Sequence, residues 1–174
     1  MIPKKIHQVW LGSKKLPDSF LCWRQKLSNL NPSWKIQIWT EENIETLKFF
    51  KKPLFEKLSN YSEKSDYIRF LCVLEFGWIY LDTDMEPVKS FKIITKNEKK
   101  WIFFWSEWSK NNLVVINWAL FGSEKNNKVL KILIQKIEER IKSADKNIPS
   151  HAKLWPQFIT PILLKMGAEI SIFE

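Results

Sequence analysis

Glycine is scarce in this chain, at four residues in 174, and histidine and cysteine are scarcer, at two each. These shortages close off several chemistries. There is no P-loop and no Gly-x-Gly-x-x-Gly turn. His7 and His151 come without a Gly-x-Ser-x-Gly elbow, and His7 alternates with apolar residues as a hydrogen-bonded structural histidine does. Cys22 and Cys72 form neither a disulfide framework nor a zinc-ligand spacing, and each sits in an apolar stretch. That usage fits a reducing compartment. The longest apolar run, Ile68 to Leu81, contains Arg69 and Glu75 and is no transmembrane helix. Met1-Ile2-Pro3-Lys4-Lys5 lacks the apolar h-region of a signal peptide. The chain therefore reads as cytoplasmic, with the inner face of the cell membrane as the alternative location.

Aromatic residues are plentiful by contrast, with ten Trp and twelve Phe. A hydrophobic content of 45% beside 27% charged residues describes a folded domain. One domain over residues 1–174 is expected, burying about two thirds of its unfolded surface. The net charge is +9, and nearly all of the positive charge is lysine, Arg24, Arg69 and Arg140 being the arginines. Such a surface attracts polyanions: nucleic acid, anionic lipid headgroups or phosphorylated substrates. The lysines are scattered as pairs (Lys4-Lys5, Lys14-Lys15, Lys51-Lys52, Lys99-Lys100), with no basic helix and no nucleic-acid module. No nucleic-acid partner is expected; a solvated surface biased toward peripheral membrane contact is.

Periodicity gives an alternating order. Lys5 to Gly12 reads as a buried strand, Ser19 to Leu30 as a helix ended by Asn31-Pro32, and Trp34 to Trp39 as a second strand. Glu41 to Asn60 reads as one or two short helices broken near Pro53. Ser62 is the expected N-cap of a helix to Phe76, stopped by Gly77, before a third strand from Trp78 to Leu81. Trp101 to Trp105 and Leu113 to Phe121 read as strands and Asn126 to Lys142 as an amphipathic helix. Pro149 to Gly167 reads as a loop and short helix, and Ile170 to Phe173 as the start of another strand. The order predicts an α/β layer around a mostly parallel sheet. Ligands bind outside the C-terminal ends of such strands, where Trp10, Trp39-Thr40 and Asp82-Asp84 are expected to converge.

Asp82-Thr83-Asp84 follows directly on the third strand. Side chains alternate across a strand, so both carboxylates are expected to point the same way beyond the last apolar residue. Paired hard oxygens there suit Mg²⁺ or Mn²⁺ arriving with phosphate groups. A triplet of this kind also caps turns or faces water. Asp66 and Arg69, three apart in an otherwise apolar helix, share a face. They read either as a structural bridge or as a pair that binds something polar.

Three blocks carry a resemblance: Ile2 to Gly12 (IPKKIHQVWLG), Asn31-Pro32-Ser33-Trp34 through Trp39, and Lys64-Ser65-Asp66-Tyr67-Ile68-Arg69 running to Asp84. In this order and spacing the chain resembles Och1-like glycosyltransferases with the sugar-binding Asp-x-Asp motif (glycosyltransferase family 32, the capsular polysaccharide synthesis type), related to the catalytic domains of clostridial glucosylating toxins. The resemblance implies a GT-A, Rossmann-like fold and a retaining transfer from a nucleotide-diphosphate sugar. The donor would be a UDP-sugar ahead of a GDP-sugar, with Mn²⁺ or Mg²⁺ bridging the diphosphate. It implies that Val9 and Trp10 contact the nucleobase, and that Asp66 and Arg69 hold the donor sugar and its phosphate. Tyr80 and Asp82 would touch the nucleoside, Asp84 would bind the metal with Asp82 beside it, and Asn117 would contact the sugar. The acceptor would be a glycan or lipid-linked glycan of bacterial capsule or lipooligosaccharide. Two departures stand out: Gly77-Trp78 replaces the usual Gly-Gly, and relatives continue beyond the position of Glu174 into a segment that completes the site. A non-catalytic nucleotide-sugar or glycan-binding domain is the alternative.

Overall fold

A computed structural model describes residues 4–92, 102–108, 114–143, 156–166 and 171–173. The expected strand starts at Trp101 and Leu113, the loop from Pro149, His151 and Ile170 lie outside the described residues. The order is β1 (Lys5–Val9), α1 (Asp18–Leu30), β2 (Lys35–Trp39), a 3₁₀ turn (Ile44–Thr46), α2 (Lys52–Phe55), α3 (Tyr61–Phe76) and β3 (Trp78–Leu81). There follow β4 (Ile102–Trp108), β5 (Val114–Ser123), α4 (Lys128–Ser143), α5 (Pro156–Lys165) and β6 (Ser171–Phe173).

The six strands form one sheet in the order β2-β1-β3-β5-β4-β6. Every pairing is parallel except those of β5, which runs antiparallel to both β3 and β4. This is the expected α/β architecture, mostly parallel, with one reversed strand beside β3.

Alternation along the strands divides the core. Val9, Tyr80, Phe104, Ile116 and Phe121 pack on the side of α3, α4 and α5, while Ile6, Ile79, Leu81, Phe103 and Leu120 pack with Leu27 of α1 on the other. Helix α3 is buried almost all round from Asp66 to Leu74, because it lies between the sheet and α4. Its cap differs from the expectation. Asn60, not Ser62, closes the first turn by accepting the Glu63 N–H at 2.9 Å, and Glu63 Oε2 reciprocally accepts the Ser59 N–H at 2.7 Å. Pro53 likewise starts α2 instead of breaking it, since the first turn of a helix has no use for the missing N–H.

The polypeptide after β3 is tied back to α1. Asn31 Oδ1 accepts both the Ser90 hydroxyl at 3.0 Å and the Phe91 N–H at 2.9 Å, while its amide donates to the Leu27 carbonyl. The segment leaving Asp84 is thereby held against the end of a helix.

Candidate active site

Parallel pairing of β1 with β3, through Ile6–Ile79 and His7–Tyr80, brings Val9-Trp10 and Asp82-Thr83-Asp84 to the same edge of the sheet. A cleft of about 470 Å³ opens there. Volumes of this order hold small-molecule ligands. Val9, Trp10, Arg69, Tyr80, Asp82 and Asp84 all line it. Asp66 and Asn117 do not. Asp66 is buried behind Arg69 at 5% exposure, and Asn117 Oδ1 accepts the Ala119 N–H at 2.7 Å.

Trp39-Thr40 ends at this edge as well but stays out of the cleft. The Trp39 carbonyl accepts the Trp10 N–H at 2.9 Å, and its indole N–H donates to His7 Nδ1 at 3.1 Å within the core. His7 Nε2 then donates to the Gly77 carbonyl at 3.0 Å. Burial holds this imidazole neutral, lowering its pKa to about 4.

The two aspartates of the triplet are not alternating strand residues. The strand stops at Leu81, and Asp82 to Met85 form a turn in which the Met85 N–H donates to the Asp82 carbonyl at 3.4 Å. Asp82 is largely enclosed, whereas Asp84 is exposed at the mouth and makes no hydrogen bond or ion pair among the described residues.

Arg69 organises the charged floor. Its Nη2 meets Asp66 Oδ1 at 2.8 Å and Asp82 Oδ1 at 3.2 Å, and its Nη1 donates to Asp82 Oδ2 at 3.2 Å. The fork is therefore bidentate to Asp82 and bridges to Asp66. The guanidinium lies over the Tyr80 ring, 4.7 Å from its centroid, and the Tyr80 hydroxyl donates to Asp82 Oδ1 at 2.6 Å. Burial opposes the charge on Arg69, but the oxygens of Tyr80, Asp66 and Asp82 outweigh it and raise the pKa above its ordinary value. Burial also pushes the Asp66 carboxyl up to about 6, with Arg69 and the Trp118 indole offsetting part of the effect. Asp82 is raised for the same reason against the same guanidinium.

The aromatic wall is fixed by its own contacts. The Trp10 indole N–H donates to the Lys14 carbonyl at 2.8 Å and its ring meets Phe20 edge-on at 6.1 Å. Gly12, at φ +99°, presses on Tyr61, and a Cβ there would stand 2.9 Å from the ring. Tyr61, Ser62 and Ser65 also line the cleft, and sequence reasoning missed all three. The signal was available: positions 62, 65 and 69 follow the i, i+3, i+7 stripe of one helix face.

The donor set fits a hard divalent cation. Asp84 offers a free carboxylate, and Asp82 Oδ2 accepts a single hydrogen bond. Among the described residues no three His, Cys, Asp or Glu side chains cluster as a self-sufficient metal centre. A cation here would depend on oxygens brought by its ligand, as Mg²⁺ commonly does with phosphates. Arg69 Nε, buried with no hydrogen-bond partner, is a further donor left over in the floor.

Residues 17–101 match the family defined as the glycosyltransferase sugar-binding region containing the DXD motif. Over that stretch the chain is similar to DXD-motif glycosyltransferases. Its DXD motif is Asp82-Thr83-Asp84. The chain is 32% identical over 91 residues to the uncharacterized glycosyltransferase L373 of Acanthamoeba polyphaga mimivirus, a match covering 49% of this chain and 36% of that protein. It is 33% identical over 101 residues to mannosyl phosphorylinositol ceramide synthase SUR1 of Saccharomyces cerevisiae, covering 52% and 26% respectively. These matches span about a third or less of the relatives' own length. Among solved structures, PaToxG glycosyltransferase superposes with a TM-score of 0.72 at 20% identity, over 95% of this chain and 70% of that one. The fold is GT-A.

Proposed function

We propose that this DXD glycosyltransferase domain binds a nucleotide-diphosphate sugar and transfers its sugar to a glycan acceptor. The observation that carries the reading is the joining of the Arg69–Asp82 fork and the exposed Asp84 on one wall of a cleft whose other wall is aromatic. An aromatic wall suits a base, a buried guanidinium suits a phosphate, and paired carboxylates suit the cation that travels with it.

In this reading Val9 and Trp10 hold the base, a uracil ahead of a guanine, and Tyr80 and Asp82 face the nucleoside. Arg69 orients the sugar-proximal phosphate, and Asp66 accepts from sugar hydroxyls behind it. Asn117 is assigned to the sugar side as well. Asp84, with Asp82 beside it, would hold Mn²⁺ or Mg²⁺, which supplies charge neutralisation at the departing diphosphate. Retention of configuration accords with a same-face displacement, the leaving phosphate taking the acceptor proton.

The acceptor we propose is a glycan, free or lipid-linked, of the capsule or lipooligosaccharide kind. The net charge of +9 supports peripheral contact with an anionic membrane face. No helix among the described residues is long and apolar enough to cross a membrane. Cys22 and Cys72 are both free, which accords with action in a reducing, cytoplasmic compartment.

The test is calorimetric titration of UDP-glucose, UDP-galactose, UDP-N-acetylglucosamine and GDP-mannose, with and without Mn²⁺, followed by a hydrolysis assay on any that bind. Metal-dependent binding with slow turnover is expected. Failure of all four to bind with Mn²⁺ present would sink the proposal, and binding without turnover would favour a non-catalytic nucleotide-sugar domain.

A further inference from the structure

Trp118 carries no role in the reading above, yet it touches two of the charged groups of the floor. Its place follows from topology. β5 runs antiparallel to β3 with Leu120 opposite Leu81, so Ala119 and Trp118 continue past the end of β3 alongside the triplet. The Ala119 carbonyl accepts the Asp82 N–H at 2.8 Å. The Trp118 carbonyl accepts from Arg69 Nη1 at 3.3 Å, and its indole N–H donates to Asp66 Oδ1 at 3.2 Å. Two successive residues of one strand thus reach Asp82, Arg69 and Asp66.

The indole ring is 6% exposed and packs on Phe70 at 6.4 Å. Packing alone would be met by phenylalanine, with no polar atom to satisfy. A buried indole N–H is tolerated because it has a partner, and here that partner is a carboxylate that is itself buried. Two donors, Trp118 Nε1 and Arg69 Nη2, converge on Asp66 Oδ1, while Oδ2 carries no hydrogen bond among the described residues. With the indole N–H removed, nothing but Arg69 fixes the carboxylate plane, and Asp66 is free to turn both oxygens to the guanidinium.

We infer that Trp118 is a positioning residue for the donor sugar: it locks the Asp66 carboxylate through Oδ1 behind Arg69, and with its carbonyl it steadies the guanidinium that Asp66 shares with Asp82. The inference rests on the nucleotide-sugar reading of the cleft.

Trp118→Phe keeps the ring and removes the donor. Calorimetry with Mn²⁺ compares UDP with the four nucleotide-sugars named above. UDP affinity should stay within about twofold, while the gain in affinity that the sugar confers should fall about tenfold. Equal losses for UDP and UDP-sugar, accompanying a lower melting temperature, would reduce Trp118 to a structural role and overturn the inference. A second readout needs no variant. In the ¹H–¹⁵N spectrum of the wild-type chain, the assigned Trp118 indole signal should move on adding UDP-sugar and not on adding UDP, and an equal response to both overturns the inference even where Trp118→Phe does not fold. Wild-type protein that binds no nucleotide-sugar overturns the functional reading and this role with it. That failure is recognisable because the wild-type titration itself is blank.

Discussion

The Tyr80 hydroxyl donates to Asp82 Oδ1 at 2.6 Å across a single intervening residue, and both side chains lie on the α3 side of the sheet, where Arg69 covers the Tyr80 ring. Burial raises the phenol pKa well above its ordinary value, so the hydroxyl remains a donor throughout the working range of the chain. Tyr80 and Arg69 therefore fix one carboxylate from two directions.

Tyr80→Phe removes one of those directions and keeps the ring under the guanidinium. We expect UDP-sugar affinity to fall about tenfold, equivalent to ~1.5 kcal/mol for one hydrogen bond to a charged group, with a comparable loss of stability. Calorimetry and urea denaturation of the same preparation check both. An affinity loss above a hundredfold would mean that the hydroxyl contacts the donor directly.

Asp84→Ala should behave differently. Asp84 is exposed and makes no hydrogen bond or ion pair among the described residues, so its removal should change stability by no more than ~0.5 kcal/mol. The Mn²⁺-dependent part of the UDP-sugar affinity should vanish. Unaltered metal dependence, measured by titrating with and without chelator, would remove Asp84 from the metal site.

Much of this architecture was legible along the chain, and the exceptions share a cause. The strand–helix alternation through Leu81 followed from apolar periodicity, and the placing of Val9, Trp10 and Asp82 together followed from parallel strands ending at one edge. Trp118 was not legible, because its contacts depend on the register of an antiparallel strand well downstream of Asp82. The joint orientation of Asp82 and Asp84 was misjudged because the pleat stops at Leu81 and a turn takes over. Trp39 was expected in the cleft on strand-end position alone, but its indole satisfies His7 in the core instead.

His7 and Asp66 should pull the pH dependence of stability in opposite directions. The folded state holds His7 neutral with a pKa of about 4 against an ordinary 6.5, so between those values the unfolded chain binds more protons and stability is lost as pH falls. Asp66 has a folded pKa of about 6 against an ordinary 3.8, so across that window its contribution is lost as pH rises. Each is worth about 3 kcal/mol in full, and from pH 4 to 6 the two largely cancel. Urea denaturation between pH 4 and 7 should show His7→Gln losing stability relative to wild type as pH rises. Asp66→Asn should gain on wild type over the same range. Parallel curves for all three proteins would refute the assignment.

Trp78 offers a test of backbone strain. It stands at φ +76°, directly after Gly77 at φ +73°. A left-handed conformation costs a residue with a Cβ roughly 1–2 kcal/mol. The ring offsets this by packing edge-on against Trp34 at 5.7 Å, with the Lys4 ammonium over both indoles. Truncation should therefore destabilise whichever small residue replaces it, but the order of the two smallest is informative. In an ordinary strand alanine is more stable than glycine by roughly 0.5–1 kcal/mol, because glycine loses more backbone entropy on folding. At position 78 the strain reverses that order, so Trp78→Gly should exceed Trp78→Ala in stability by about 0.5–1 kcal/mol. Both variants lose the same ring, so packing cancels in the comparison. Chemical denaturation midpoints with unchanged slopes decide it, and an alanine variant more stable than the glycine variant would show that β3 does not begin in the left-handed region.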